Sequence, residues 1–450
     1  MKAGSTSPRR RYCIVGAGYF GLGAAKALRD DGVPYDHLAG GNGVGNTLTE
    51  TLMATSSKRS IEHPDYPVPE EWPEFPGEGR IRAYLRDFAR EHDLDGKIEF
   101  GRSVKGARPL DGRDGHSGWR LELEDGEIRH YAGIVLTEAR TQKPRVDLPG
   151  HFSGKRVYAT NEEETRDLED ERVLVIGDGN LACAIATRIG RRSRKCYVST
   201  RGGSLLPETL LGVPLSELEE RLWWLSDERF LGRLVGPLSR MILRDQPPSR
   251  LLRRDLLEEP IVSSEALHQI RRGALEVKPE VARFDGEDVH FVDGSVAAVD
   301  AVVHVPSERD VALPVGEELL KYENGVPVRV GSVFLPGLTN CYLFGPLITR
   351  GGSGRIISEG SEVLARAIRA QEELSHPLVE DLARMWPPDS RLPLSPAAVL
   401  REIRALRRCI DGIVLYGRFR GYTAGMPPAI PPAPAQHENA STARKEALST

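Results

Sequence analysis

Two glycine-rich turns, about 160 residues apart, carry the residues of this chain best suited to bind a ligand. The first is Gly16-Ala17-Gly18-Tyr19-Phe20-Gly21, and the second is Gly177-Asp178-Gly179-Asn180-Leu181-Ala182. In such a turn the first glycine allows the bend, the second lets a phosphate approach the backbone, and the third position lets helix and strand pack closely. A helix that starts there presents free N–H groups to an anion. Each turn therefore predicts a site for the pyrophosphate of a dinucleotide.

The residues on either side of both turns have the pattern of a strand and a helix. The apolar run 12–15 precedes the first turn and the helical stretch 22–29 follows it. The β-branched run 172–176 precedes the second turn, and 183–189 follow it as a helix. One such turn is a weak signal, but two in complete strand–turn–helix context indicate an α/β fold with two Rossmann-like dinucleotide-binding units.

The composition is that of a globular chain without a strong charge bias. Its 450 residues suffice for two or three domains, with 40% hydrophobic and 28% charged residues. The net charge of −4 gives no reason to expect nucleic acid as a partner. The five cysteines form no Cys-x-x-Cys pair, which argues against a dithiol reductase, a zinc site and a disulfide framework. No constellation of His, Cys and carboxylates indicates a metal.

The remaining segments differ in the structure that they predict. No apolar run reaches membrane-spanning length, so we expect no membrane partner and a cytoplasmic location. Apolar spacing predicts helices over 80–92, 356–373 and 395–410, the last with Ser395 as N-cap, and strands over 331–344. The segment 215–252, which contains Trp223 and Trp224, is predicted to be mostly helical. Residues 1–11 are predicted to be a flexible leader, and the Pro-rich tail 423–450 is predicted to be disordered.

In order along the chain, several further blocks match a known family. The chain resembles the flavin-containing monooxygenases, in the branch that includes the Baeyer–Villiger enzymes, over about residues 10–415. The matching blocks are Gly16-Ala17-Gly18-Tyr19-Phe20-Gly21-Leu22, Ser56-Ser57-Lys58-Arg59, Asp65-Tyr66-Pro67, Tyr84-Leu85-Arg86-Asp87-Phe88-Ala89, Phe152-Ser153-Gly154-Lys155, Gly177-x-Gly179-Asn180-x-Ala182 and Thr200-Arg201.

This resemblance implies a FAD domain interrupted by an NADPH domain. The implied segments are a leader at 1–11, FAD-type parts at 12–165 and 305–422, an NADPH-type insert at 166–304, and a tail at 423–450. In the family NADPH reduces FAD, and a flavin hydroperoxide transfers oxygen to a small molecule at nitrogen, sulfur or a ketone. The implied partners are that small molecule and a second copy or an active relative.

The resemblance also assigns site residues. Gly16, Gly18 and Gly21 would hold FAD. Gly177, Gly179, Asn180 and Ala182 would hold NADPH, with Arg201 on its 2′-phosphate. Thr55 stands at the position of the family's active-site Asn.

At several cofactor-contact positions the chain departs from the family pattern. Ala39 replaces the acidic residue that binds the FAD ribose, and a charge-assisted hydrogen bond of that kind contributes roughly 1.5–3 kcal/mol. Asn46, Glu138 and Ser307 stand where the family has glycine, and Glu138 adds a negative charge near an anionic ligand. Two hypotheses follow: an NADPH-driven flavin monooxygenase, or an FAD-deficient homologue that acts as a partner subunit or binds only NADPH or another ligand.

Overall fold

The computed structural model describes residues 11–45, 56–112, 114–138, 140–141, 148–160, 163–200, 204–210, 212–221, 260–306, 311–323, 326–345, 352–390 and 396–421. Within these ranges the α-helices are α1 (Tyr19–Asp30), α2 (Lys58–Ile61), α3 (Glu78–Glu91), α4 (Gly179–Gly190), α5 (Leu215–Arg221), α6 (Ser264–Arg272), α7 (Gly354–Glu373), α8 (Leu378–Met385) and α9 (Pro396–Arg420). Short 3-10 helices cover Asp95–Lys97, Glu163–Thr165 and Glu317–Leu319.

The strands alternate with these helices along the chain. Up to residue 206 they are β1 (Tyr12–Val15), β2 (Tyr35–Ala39), β3 (Ile98–Phe100), β4 (Val104–Pro109), β5 (Trp119–Leu123), β6 (Ile128–Tyr131), β7 (Gly133–Leu136), β8 (Arg140–Thr141), β9 (Gly150–Phe152), β10 (Lys155–Tyr158), β11 (Arg172–Ile176), β12 (Lys195–Ser199) and β13 (Ser204–Leu206). Beyond it they are β14 (Thr209–Leu210), β15 (Val213–Pro214), β16 (Pro260–Val262), β17 (Leu275–Lys278), β18 (Val281–Gly286), β19 (Asp288–Phe291), β20 (Val296–Ala298), β21 (Ala301–His304), β22 (Val311–Ala312), β23 (Tyr322–Glu323), β24 (Val326–Pro327) and β25 (Cys341–Leu343).

A parallel sheet with the strand order β25-β7-β1-β2-β3 carries the first glycine turn. Its strands are buried on both faces, as expected for a parallel sheet covered on each side. Tyr12 and Ile14 of β1 belong to the core shared with α1, α3, α7 and α9. Cys13 and Val15 point to the opposite face, where a core with Trp119 lies. Burial on both faces of the sheet therefore explains why every residue of β1 is apolar.

A second parallel sheet, with the order β10-β21-β11-β12-β17, carries the second glycine turn. Helices α4 and α6 pack on one face of it, in a core with Val173, Val175 and Ala186. The other face packs on an antiparallel layer through Leu174 and Phe284. The predicted α/β fold with two Rossmann-like units and C-terminal helices is confirmed.

Two predicted elements differ from the structure. The last helix was expected to end at residue 410, but α9 continues to Arg420. It continues because its later turns pack on α7: Val414 is buried, and Gly417 approaches Leu374. The predicted strands at 331–344 reduce to β25, because Ser332 and Asn340 have positive φ and bend the chain. Among the described helices, none is long and apolar enough to cross a membrane.

Candidate cofactor-binding site

The first glycine turn links the carboxyl end of β1 to the start of α1. Gly16 has φ +114°, a conformation that side chains disfavour. A Cβ on Gly21 would overlap the Gly16 carbonyl, lying 2.9 Å from its carbon, so helix and turn are in direct contact. Gly18 is the N-cap of α1 without a side-chain cap, and no acidic residue lies in the first turn of that helix. The N–H groups there face no competing carboxylate from their own helix, which suits an anion.

Two of the residues that differ from the family pattern, Ala39 and Glu138, lie close to the first glycine turn. Ala39 ends β2 and is buried, so no carboxylate stands at the tip of that strand. Asp36 lies further back on β2, where it pairs with Arg11 and accepts a hydrogen bond from Tyr131 at 3.1 Å. A Cβ on Gly16 would lie 2.8 Å from Cγ of Glu138, so that side chain lies directly beside the turn. The turn itself fits a pyrophosphate. The Glu138 carboxylate adds a negative charge beside it, and Ala39 provides no carboxylate for the ribose.

The second turn has the same construction at the carboxyl end of β11. Gly179 has φ +86°, and a Cβ there would meet no atom within 4 Å. A Cβ on Gly177 would lie 3.0 Å from the Ala182 Cβ, so these two positions set the distance between strand and helix. The Asp178 carboxylate accepts a hydrogen bond from Oγ1 of Thr200 at 2.9 Å. That bond ties the turn to the end of β12, and the open side of Gly179 leaves room for a phosphate.

The structure places the predicted NADPH residue Asn180 inside the protein. Asn180 is 9% exposed, and its Oδ1 accepts a hydrogen bond from the Val262 N–H at 2.9 Å. The side chain therefore fixes α4 against β16. Gly177, Gly179 and Thr200 line one small pocket together with Ile261 of β16.

A buried group of hydroxyls joins the second unit to the segment before α2. Ser216 of α5 lies 3.4 Å from both the backbone nitrogen and the Oγ of Ser57. The neighbouring Ser56 Oγ accepts a hydrogen bond from the Gly352 N–H at 3.3 Å. Three segments that are distant in sequence thus meet at Ser56 and Ser57. Sequence reasoning quoted Ser56 and Ser57 but missed Ser216, because a serine on a short helix gives no signal of such a contact.

Several histidines are buried in the two units. Burial lowers the pKa of His37, His63 and His304 to about 4, so all three are neutral at pH 7. In the described ranges no group of His, Cys, Asp and Glu has the geometry of a metal site. Burial also raises the pKa of Cys13 and Cys341, which lie in the sheet and are inert as nucleophiles.

Some predicted positions fall outside the described residues. These are Thr55, Arg201, Asn46, Ser307, Trp223 and Trp224. Their assignments stay predictions.

Residues 41–216 match the family model described as flavin-binding monooxygenase-like. The chain is thus similar to the flavin monooxygenases. It is 24% identical over 361 residues to flavin-containing monooxygenase 3 of Homo sapiens, covering 73% of this chain and 67% of that protein. It is 25% identical over 430 residues to the probable indole-3-pyruvate monooxygenase YUCCA8 of Arabidopsis thaliana, covering 88% of this chain and 93% of that protein.

The fold of this chain is also that of solved monooxygenase structures. An oxidized steroid monooxygenase bound to NADP superposes with a TM-score of 0.61 at 15% identity. The superposition covers 94% of this chain and all of that one. The likeness shows that the whole fold is shared, including both parallel sheets and the described C-terminal helices.

Proposed function

We propose that this chain is an NADPH-driven flavin monooxygenase that transfers one oxygen atom to a small molecule. The observation that carries the proposal is the pair of glycine turns, each at the carboxyl end of a parallel sheet in the same chain. The similarity to flavin-binding monooxygenases, and to a steroid monooxygenase bound to NADP, supports FAD and NADPH as the cofactors. The contact between Ser57 and Ser216 supports the view that the two units work across a shared boundary.

The residues of the first unit would hold FAD. The pyrophosphate would lie on the turn Gly16–Gly21, where α1 begins with free N–H groups and Gly18 leaves no side chain in the way. Bound FAD would supply the oxygen-activating chemistry, and the protein would supply placement and exclusion of water. Thr55, next to the buried Ser56, is the proposed polar contact in the reaction site.

The residues of the second unit would hold NADPH. Gly177, Gly179 and Ala182 would accommodate the pyrophosphate, and Arg201 would bind the 2′-phosphate with a bidentate guanidinium. Asn180 would act at one remove by fixing α4 to β16. The proposed segments are 12–165 and 305–422 for FAD and 166–304 for NADPH. The cytoplasm and pairing with a second copy or an active relative also stay proposals.

The test is the purified protein itself. We expect a yellow protein that releases FAD on denaturation, whose flavin absorbance bleaches when NADPH is added without oxygen. With labelled dioxygen, one labelled atom should enter an amine, sulfide or ketone from a panel of small molecules. A colourless protein that takes up no added FAD would refute the proposal and support the flavin-free alternative, for which Ala39 and Glu138 speak.

A further inference from the structure

The carbonyl oxygen of Gly16 is the pivot of the first glycine turn. It points beneath α1, so close that a Cβ on Gly21 would overlap it. With the carbonyl turned inward, the amide groups that follow are free to face outward. Whatever fixes this one oxygen therefore fixes the direction of the phosphate-binding N–H groups.

Two side chains from the neighbouring strands reach this oxygen. Nε2 of His37, on β2, lies 2.7 Å from it. Oγ1 of Thr137, directly after β7, lies 3.3 Å from it and donates a 2.8 Å hydrogen bond to the Val15 carbonyl. His37 is 1% exposed and Thr137 is 8% exposed, so water does not replace either contact.

The acceptor determines the chemical state of His37. A carbonyl oxygen only accepts hydrogen bonds, so Nε2 must carry the proton. The other ring nitrogen, Nδ1, is buried and has no hydrogen-bond partner among the described residues. A buried N–H there would have no acceptor, so the Nε2–H tautomer is favoured over both the other tautomer and the cation.

We propose that His37 is a positioning residue for the dinucleotide, acting as a fixed neutral donor that holds the Gly16 carbonyl and thereby aims the amides of residues 17–20 at the phosphates. The hydrogen bond to the Gly16 carbonyl is made by Nε2 of His37. This inference rests on the proposed FAD site for its effect on binding, but the orientation of the turn is testable without FAD.

The experiment compares His37→Gln, which keeps an N–H donor, with His37→Leu, which removes it. A His304→Leu variant serves as the matched control, because His304 is also a buried histidine on a parallel strand, but in the second sheet. Amide hydrogen exchange is measured on all proteins without ligand at Gly16 and Leu22, whose N–H groups donate to the Leu38 and Gly18 carbonyls on either side of the turn. We expect at least tenfold faster exchange in His37→Leu and unchanged exchange in His37→Gln and His304→Leu.

Two further readouts complete the test. FAD titration, followed by flavin fluorescence, should show binding weakened about five- to tenfold in His37→Leu and restored in His37→Gln. Binding of NADP⁺ should be the same in wild type and both His37 variants. Nitrogen NMR of wild type at pH 7 should show His37 as the neutral Nε2–H tautomer.

The outcomes separate the two hypotheses. Unchanged amide exchange in His37→Leu, faster exchange in His37→Gln, or an Nδ1–H or cationic His37 would overturn the positioning role, whether or not FAD binds. Wild type that binds no FAD would instead overturn the proposed flavin function, while the exchange and NMR results would still decide the role of His37.

Discussion

The contact between Gly21 and the Gly16 carbonyl gives the sharpest prediction. In Gly21→Ala the new methyl group would overlap the Gly16 oxygen and lie 3.0 Å from Oγ1 of Thr137. Overpacking of a tight core typically costs about 1–3 kcal/mol, and here the obstacle is backbone that cannot rotate away. We therefore expect Gly21→Ala to lower the free energy of unfolding by about 2 kcal/mol. Because the methyl group displaces the phosphate-binding turn, we also expect FAD to bind at least about tenfold more weakly.

The matched control is Gly412→Ala, inside α9, where a Cβ would meet no atom within 4 Å. Alanine there should raise the free energy of unfolding by about 0.5–1 kcal/mol. Urea unfolding and FAD titration by fluorescence measure both variants, and NADP⁺ binding to the second turn should be unaffected in both. If Gly21→Ala bound FAD within about twofold of wild type, our description of the turn would be wrong.

Three other expectations follow from the same site. Glu138→Gln removes a negative charge beside Gly16, and two unit charges 4 Å apart interact by about 1 kcal/mol even in water. We therefore expect fluorescence titration to show FAD bound about fivefold more tightly. Equal or weaker binding would contradict this. His37 has a pKa of about 4 in the fold against an ordinary 6.5, so the unfolded chain binds more protons and stability falls as pH drops from 6.5 to 4. His37 contributes about 3 kcal/mol to this fall at its limit, so urea unfolding at stepped pH should show a fall that is smaller by that amount in His37→Gln. Asn180→Ala leaves the buried Val262 N–H without its acceptor, so urea unfolding should show a free energy of unfolding lower by about 1–3 kcal/mol. Titrations with the two cofactors should show weaker binding of NADP⁺ and unchanged binding of FAD.

The local parts of the fold were predictable because the residues that form them are contiguous in sequence. The apolar strand, the glycine turn and the helix from residue 12 to residue 30 are contiguous, and so are those from residue 172 to residue 190. Each step obeys a short-range rule of periodicity or turn chemistry.

The contacts that organise the site were not predictable, since they join distant segments. Nothing near His37 in sequence indicates that its ring reaches Gly16, and nothing near Ser216 indicates Ser57. The length of α9 was also missed, because the packing of Gly417 against Leu374 of the same chain decides it. Tertiary packing overrides local propensity at such positions.

The place of β25 at the edge of the first sheet has a consequence for biosynthesis. This strand pairs with β7, which precedes it by about 200 residues, and the whole second unit is made in between. A ribosome adding about 5–20 residues per second would leave the open edge of β7 exposed for about 10 seconds or more. During that interval the nascent chain exposes an unpaired, apolar strand that other chains can pair with. Co-expression of holdase chaperones should therefore raise the yield of soluble protein more than slowing the growth of the expression culture does.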